Sequence, residues 1–362
     1  MHADQAQYQD VDQALARSSA GLLALHALPR VGPKTALRAA LASSEFEVLM
    51  ERHGAAWPAA LARAHDTLED CDRRGIHVLS FFDESYPQRL RVIHDPPPLL
   101  FVRGSTDVLL DERMAAVVGT REPTSFGCAA AAQITAALAR EGWGVVSGLA
   151  KGIDTVAHGV ALKHDASTVA VMAGGLDRVY PKENTKLAAA IVDSGGALIA
   201  EVSPGVAPRP SSFVARNRLQ TGLSVAVVVA QTGVEGGTMH TVRHAATQGR
   251  TVFCAKPLSK HEQNAGLWVL LSSPARDLCN QLLAWSDSQR LCRRLGSQPL
   301  ATAIGRDELD DLLDLCEFAL TAPQMASETR WWPAPAEAES ASSASAALED
   351  HYQRSSLFAL VD

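Results

Sequence analysis

An aromatic residue stands among basic and amide residues near the middle of the chain. Phe213 is followed by Arg216, Asn217 and Arg218, and Arg209 precedes it. Proteins that bind single-stranded nucleic acid stack aromatic rings on bases and hold phosphates with guanidinium groups, and this cluster has the residue types for both contacts. The alternative is that Phe213 packs in the core, and the sequence leaves both interpretations open.

A second group of residues has the types needed to bind an anion. Its members follow two successive apolar runs and are Gly119, Thr120, Arg121, Ser147, Gly148 and Lys151. Gly119 permits close approach of the backbone, Thr120 supplies a hydroxyl, and Arg121 offers a planar fork that suits phosphate. Arg121 could instead pair with Glu122 or Glu201, and Lys151 could simply be solvated.

A third group is the loop that contains Gly236, Gly237 and Thr238. The hydroxyl of Thr238 can bind an anion, whereas the carboxylate of Glu235 would repel phosphate. Nowhere in the sequence does a Ser/His/Asp order, a metal-ligand cluster or a carboxylate pair stand out. We therefore predict binding without catalysis, with no catalytic residue, no metal and no cofactor.

The second and third groups lie where predicted strands end. Short apolar runs rich in valine and alanine cover residues 116–118, 145–146, 168–173, 197–200, 224–230 and 251–255. Such runs are typical of strands buried on both faces, and an alanine-rich helical stretch over 128–139 lies between the first two. The pattern predicts an α/β fold with a Rossmann-like, doubly wound and mostly parallel sheet. The carboxyl ends of its strands converge on one edge, which is where ligands bind.

Composition limits the kinds of partner. The chain has 362 residues, is 47% hydrophobic and carries a formal net charge of -7. Residues 115–256 contain 13 Lys+Arg and 9 Asp+Glu, so the positive charge is concentrated in the predicted sheet domain. Local charge is what a phosphate backbone meets. The six cysteines show no zinc spacing, and no apolar run is long enough for a membrane span or a signal peptide, so we expect a cytoplasmic protein with no membrane contact.

The flanking regions differ in character from the predicted sheet domain. Residues 10–72 read as small helices, and 25–41 has the form of a helix–hairpin–helix in which Arg30 and Lys34 could help to hold a phosphate. An ordinary helical turn with a packed Val31 explains the same pattern equally well. We predict an acidic amphipathic helix over 307–320 and a low-complexity linker over 333–347.

Six motifs carry a resemblance to a known family. They are YPQRL (86–90), DPPPLLFVRG (95–104), VVGTREPTSFG (117–127), VVSGLAKGIDTVAH (145–158), GGLDRVYPKEN (174–184) and FVARNRLQTGLS (213–224). In kind and order they resemble the DNA processing protein A family, also called DprA or Smf, over residues 75 to 256. The resemblance implies a helical domain over 1–74 and an extended Rossmann-like domain over 75–290. Composition predicts an acidic, partly disordered tail over 291–362.

The resemblance also implies a function. Members of the family protect single-stranded DNA and load recombinase during natural transformation, act without catalysis, work as homodimers and hand DNA to a RecA-type recombinase. The predicted DNA- or phosphate-binding residues are Gly119, Thr120, Arg121, Ser147, Gly148, Lys151, Arg209, Phe213, Arg216, Asn217, Arg218, Gly236, Gly237 and Thr238. Family members usually have glutamate at the position of Gln231 and a basic residue at that of Glu235, so this loop departs from the family's pattern.

Two other functions remain open on the same fold. The glycine-rich loop is similar to that of nucleoside-monophosphate phosphoribohydrolases, in which case Glu235 or Glu201 would have to act as the acid/base group. A sensor that binds a nucleotide signal in the same pocket is the other alternative.

Overall fold

The computed structural model describes residues 14–257, 260–272 and the backbone of 302–304. The predicted helix over 307–320 and the linker over 333–347 lie outside these residues. In the described part the helices are α1 (Ser19–Ala27), α2 (Pro33–Leu41), α3 (Ser43–His53), α4 (Trp57–Arg73), α5 (Gln88–Arg91), α6 (Ser125–Arg140), α7 (Ile153–Lys163), α8 (Thr185–Asp193), α9 (Pro210–Leu223), α10 (Gly237–Thr247) and α11 (Ala265–Ser272). None of them is long and apolar enough to cross a membrane.

The described strands form one mixed sheet. They are β1 (His77–Ser80), β2 (Leu99–Gly104), β3 (Met114–Gly119), β4 (Gly144–Ser147), β5 (Thr168–Val171), β6 (Ala197–Ala200), β7 (Ala226–Gln231), β8 (Thr251–Ala255) and β9 (Thr302–Ile304). Their order across the sheet is β1-β2-β6-β5-β4-β3-β7-β8-β9. β2 runs antiparallel to both of its neighbours, and the other pairs are parallel. The predicted α/β class with a doubly wound, mostly parallel sheet is confirmed.

The strand order places a crevice beside β3. From β3 to β6 each new strand is added on one side, and the chain then returns to add β7 on the other side of β3. Loops that leave neighbouring strands in opposite directions open a gap at their carboxyl ends, and ligands of doubly wound sheets bind in that gap. The register shifts between Val118 and Gly119, so that Gly119 lies opposite Gln231 at the end of β7.

Alternate residues of the central strands pack on opposite faces of the sheet. On β3, Ala115 and Val117 join a core with α6 and α7, whereas Ala116 and Val118 join a core with α10 and α11. This alternation follows from the period of two along a strand. Burial of both faces explains why the strands read as continuous apolar runs in the sequence.

The N-terminal helices share a core with one end of the sheet. Leu22 and Leu25 of α1 belong to the same buried cluster as Phe101 of β2 and Leu198 of β6. In the turn between α1 and α2, Val31 is buried and Arg30 is exposed. The packed Val31 is what the ordinary helical turn requires, so phosphate binding by this turn stays a prediction.

His158 of α7 is a buried structural group. Thr168 Oγ1 donates to the carbonyl of Val145, so this oxygen accepts a hydrogen bond from His158 Nδ1, 2.7 Å away. Burial, together with the charge of Arg216, lowers the pKa of His158 to about 3. The native state therefore holds a neutral imidazole.

We expect this imidazole to make the fold sensitive to acid. The unfolded chain takes up a proton near pH 6.5 but the native state does not, so this contribution to stability is complete above pH 6.5 and decreases as the pH falls toward about 3. The slope is at most about 1.4 kcal/mol per pH unit. Urea unfolding between pH 4 and 7 measures it. His158→Leu should reduce the fall in the free energy of unfolding between pH 6.5 and pH 4, and the exposed control His164→Leu should not. An equal fall in the wild type and in His158→Leu would contradict this assignment.

Candidate functional site

A cleft of about 1110 Å³ opens at the carboxyl ends of β3 and β7. Its walls come from the loop after β3, the first half of α9, the loop between β7 and α10, and the segment that follows β8. The position matches the crevice that the strand order creates. Among the predicted binding residues it is lined by Gly119, Thr120, Arg121, Phe213, Arg216, Asn217, Gly236, Gly237 and Thr238.

The remaining predicted residues do not line this cleft. Ser147 is buried and donates to the carbonyl of Val117 at 2.7 Å. Lys151 is exposed and pairs with Glu183, with 2.6 Å between Nζ and Oε1. Arg209 is exposed at the start of α9, and Gly148 and Arg218 are buried. The three predicted groups are therefore only partly brought together.

Arg121 and Phe213 form one wall of the cleft. The guanidinium carbon of Arg121 lies 5.1 Å from the centre of the Phe213 ring, and the Tyr180 ring lies 5.7 Å from the same centre. Within the described residues, Arg121 makes no ion pair with Glu122 or Glu201 or with any other carboxylate. Phe213 is half-buried and Tyr180 is 54% exposed. The wall thus offers a cation and two accessible rings.

Close backbone packing holds Arg121 in place. A Cβ atom on Gly119 would lie 2.5 Å from Ile153 Cγ1, and one on Gly152 would lie 2.5 Å from the carbonyl oxygen of Thr120. Gly152 also has a φ of 83°, which favours glycine. The amide of Thr120 donates to the carbonyl of Gln231 at 2.8 Å. These contacts fix the end of β3 against β7 and α7, and so fix the start of the Arg121 loop.

Arg216 is a buried arginine in the floor of the cleft. It is 4% exposed and donates from Nη1 to the carbonyl of Gly148 at 2.6 Å and to the carbonyl of Val171. Burial lowers its pKa to about 10, and burial raises the pKa of neighbouring Asp154, which Arg216 partly opposes. The sequence pattern predicted a phosphate contact for Arg216. The structure shows Nη1 bonded to carbonyls at the ends of β4 and β5, which positions the cleft floor, and the phosphate contact of this cleft-lining arginine stays a prediction.

Arg218 does not line the cleft, and its guanidinium also has hydrogen-bond partners within the protein. It makes a two-pronged ion pair with Glu201, at 2.9 and 2.6 Å, and its Nε lies 3.0 Å from a carboxylate oxygen of Asp95. Both partners are anionic and neutralise this buried guanidinium, and they tie α9 to β6 and to the connector before β2. The phosphate contact of Arg218 stays a prediction.

The opposite wall of the cleft is less basic. Glu235 and Glu262 both line it. The backbones of these two residues come together at Gly233, where an added Cβ atom would lie 3.8 Å from the carbonyl oxygen of Glu235 and 3.9 Å from that of Glu262. Gln231 is buried beneath this wall, where its side chain bonds the backbone N–H and hydroxyl of Thr124 at 2.8 Å each and Asn264 at 2.6 Å. Gln231 is thus a structural link rather than a ligand group.

Sequence reasoning missed three cleft residues. Tyr180 lies in an irregular segment after β5, although it belongs to the VYPKEN part of a recognised motif. Asp154 and Gln220, which are 7% and 2% exposed, also belong to recognised motifs, but nothing in the sequence marks them as cleft residues. No group of three or more potential metal ligands occurs in the described part of the chain.

Comparison with known proteins gives consistent results. Residues 77–283 match the family described as DNA recombination-mediator protein A. The chain is 38% identical to DNA processing protein DprA of Bacillus subtilis over 53% of this chain and 64% of that protein. It is 37% identical to Protein Smf of Escherichia coli over 54% of this chain and 52% of that protein. The matches thus span between half and two thirds of these relatives.

Two solved structures resemble the fold. DprA from Streptococcus pneumoniae superposes with a TM-score of 0.52 at 30% identity, over 70% of this chain and 82% of that one. DNA processing protein A from Helicobacter pylori, described for its single-stranded DNA binding mode, superposes with a TM-score of 0.52 at 25% identity, over 67% and 97% of the two chains. Because the family match covers more than half of the sequence, the chain belongs to the DNA recombination-mediator protein A family, as the six motifs predicted.

Proposed function

We propose that this protein binds single-stranded DNA in the cleft beside β3 and acts as a recombination mediator without catalysis. The observation that carries the proposal is the Arg121 guanidinium stacked on the Phe213 ring in an open cleft. Rings that accept bases, next to cations that meet phosphates, are the usual means of holding single strands without regard to sequence. The Helicobacter pylori relative, which is described as binding single-stranded DNA, supports the same ligand.

The rest of the proposal follows from family membership. We propose a homodimer that protects single-stranded DNA during DNA uptake and passes it to a RecA-type recombinase. Arg209, Lys151 and the turn at Arg30 lie on the surface of the same chain and could contact DNA outside the cleft. For the cleft itself we propose that Arg121, Phe213 and Tyr180 make the principal contacts, with Thr120, Thr238 and the glycines beside them.

Hydrolysis of nucleotides is less well supported by the same geometry. Glu201, one of the two acids that the sequence offered, is held by Arg218 and does not line the cleft. Glu235 lines the cleft but is exposed between Val234 and Gly236, without a hydrogen-bond partner among the described residues to orient it. An acid/base group must be placed at the reacting atoms, so binding is the function we propose.

A competition assay tests the class of ligand. Fluorescence anisotropy with a labelled strand of about 20 nucleotides, competed by the unlabelled strand, its duplex and free AMP or GMP, ranks the three classes. We expect the single strand to compete best and the mononucleotides to compete only at far higher concentration. Mononucleotides that compete as well as the strand would instead favour a nucleotide sensor.

Replacing Phe213 with alanine should weaken single-strand binding by about 1–3 kcal/mol, the usual contribution of one base-stacking ring. The dependence of affinity on salt should change little, because no phosphate contact is lost. Phe213→Leu keeps apolar packing without the ring and should lose a similar part of the affinity. If Phe213→Ala lowers the melting temperature and spares binding, Phe213 is a packing residue instead.

A further inference from the structure

The walls of the cleft differ in charge. The arginines and acidic residues that line it are Arg121, Asp154, Arg216, Glu235 and Glu262. Asp154 and Arg216 meet in the buried floor, where a Cβ atom on Gly148 would lie 2.5 Å from Asp154 Oδ2 and 2.6 Å from Arg216 Nη1. The floor thus pairs one cation with one carboxyl group. The other three residues divide between the walls, with Arg121 on one wall and both glutamates on the opposite one.

The acidic wall is not neutralised by the protein. Glu235 lies in the loop between β7 and α10, Glu262 lies in the segment after β8, and both are exposed. Neither glutamate makes an ion pair within the described residues, and no lysine or arginine among those residues lines this wall. Lys256 and Lys260 also follow β8, but they do not line the cleft. A phosphate placed against this wall would therefore be repelled by two carboxylates.

A single strand can bind without meeting the acidic wall. The groups that would hold its bases and its phosphates lie on the same wall, since the guanidinium of Arg121 is 5.1 Å from the Phe213 ring centre and the Tyr180 ring is 5.7 Å from it. A single strand has one sugar–phosphate backbone and exposed bases, so one wall can satisfy both. Its backbone can therefore stay away from Glu235 and Glu262.

Duplex DNA has no such freedom. Its bases are paired inside the helix, so they are not available to the rings, and it carries a charged backbone on each side of its grooves. When one backbone lies along the wall of Arg121, the second is held at a fixed distance from it and extends toward the opposite wall. Placing like charges against each other is a common means of rejecting the wrong partner.

We propose that Glu235 and Glu262 are specificity-determining residues, which make the cleft select single-stranded over duplex DNA by repelling the second backbone of a duplex. Neither residue contacts the bound single strand in this account. The aromatic and basic wall supplies the affinity, and the acidic wall supplies the discrimination. This inference rests on the proposed binding of single-stranded DNA.

The test compares the affinities of the full chain for a labelled single strand of about 20 nucleotides and for the blunt duplex of the same sequence. The double variant Glu235→Gln/Glu262→Gln removes both charges and keeps the side-chain volumes. We expect it to bind the duplex about three- to tenfold more tightly than wild type does, and the single strand within about twofold of wild type, because exposed charge pairs have modest energies. The ratio of the two affinities is the quantity measured.

A matched control separates this local effect from a change in net charge. Glu141→Gln/Asp193→Asn removes two exposed carboxylates beyond the C-terminal ends of α6 and α8, outside the cleft, and should leave the ratio unchanged. A wild-type ratio in Glu235→Gln/Glu262→Gln, or an equal change of ratio in the control, overturns this inference alone. The same holds if wild type binds the duplex as tightly as the single strand. Failure of wild type to bind the single strand overturns the proposed function as well.

Discussion

Replacing Arg218 with alanine is expected to lower the free energy of unfolding by roughly 3–5 kcal/mol, because it leaves two carboxylates without the cation that neutralises them. Arg218 is 7% exposed and contacts both oxygens of Glu201 as well as a carboxylate oxygen of Asp95. Burial is the largest single influence and would lower the pKa of this guanidinium, but the charge and hydrogen bonds of Glu201 and the charge of Asp95 together outweigh it and raise the pKa. Urea unfolding at neutral pH measures the loss.

A double variant separates the ion pair from simple loss of packing. When Glu201→Ala is combined with Arg218→Ala, the total loss should be smaller than the sum of the two single losses, since the second change removes the orphaned charge. Additive losses, or a loss below about 1 kcal/mol for Arg218→Ala, would contradict the assignment. Because this pair ties α9 to β6, the single variant should also weaken DNA binding through disorder of α9.

We expect Arg216→Ala to be similarly destabilising, by roughly 3–5 kcal/mol, for a different reason. The change leaves the carbonyls of Gly148 and Val171 without their donor and leaves the buried Asp154 with only the weaker influence of Arg121. Arg216→Lys keeps a charge but cannot bridge both carbonyls as well, so it should recover only part of the loss. Thermal or urea unfolding of both variants measures these effects.

The matched control for Arg216 is Arg209, an exposed arginine at the start of the same helix. Arg209→Ala should change the free energy of unfolding by no more than about 0.5 kcal/mol. If Arg216→Ala is equally mild and instead reduces the dependence of DNA affinity on salt, Arg216 contacts phosphate, as the sequence pattern first indicated.

The fold could be predicted because its signals are local and repeated. Strands β3 to β8 are buried on both faces, so each appears as an apolar run that ends in glycine or a polar residue. Arg121 could be identified as a candidate because it directly follows one of these ends. The position of the cleft, at the carboxyl ends of the strands, could be inferred from the strand pattern alone.

The roles of individual helix residues could not be predicted in the same way. Arg216 and Arg218 are two residues apart, so they leave α9 in different directions, toward the strand ends and toward Glu201. Sequence shows two arginines beside a phenylalanine but not which charges already have partners across the fold.

The most direct test of the cleft as a single-stranded DNA site is the salt dependence of binding by Arg121→Ala. On a single strand, each lost phosphate contact should reduce the slope of log affinity against log salt concentration by about 0.7. The control Arg140→Ala removes an exposed arginine from the C-terminal end of α6, at the opposite edge of the sheet. We predict a reduced slope and weaker low-salt binding for Arg121→Ala, with an unchanged melting temperature and with wild-type behaviour for Arg140→Ala. A folded Arg121→Ala protein with wild-type slope and affinity would contradict the account.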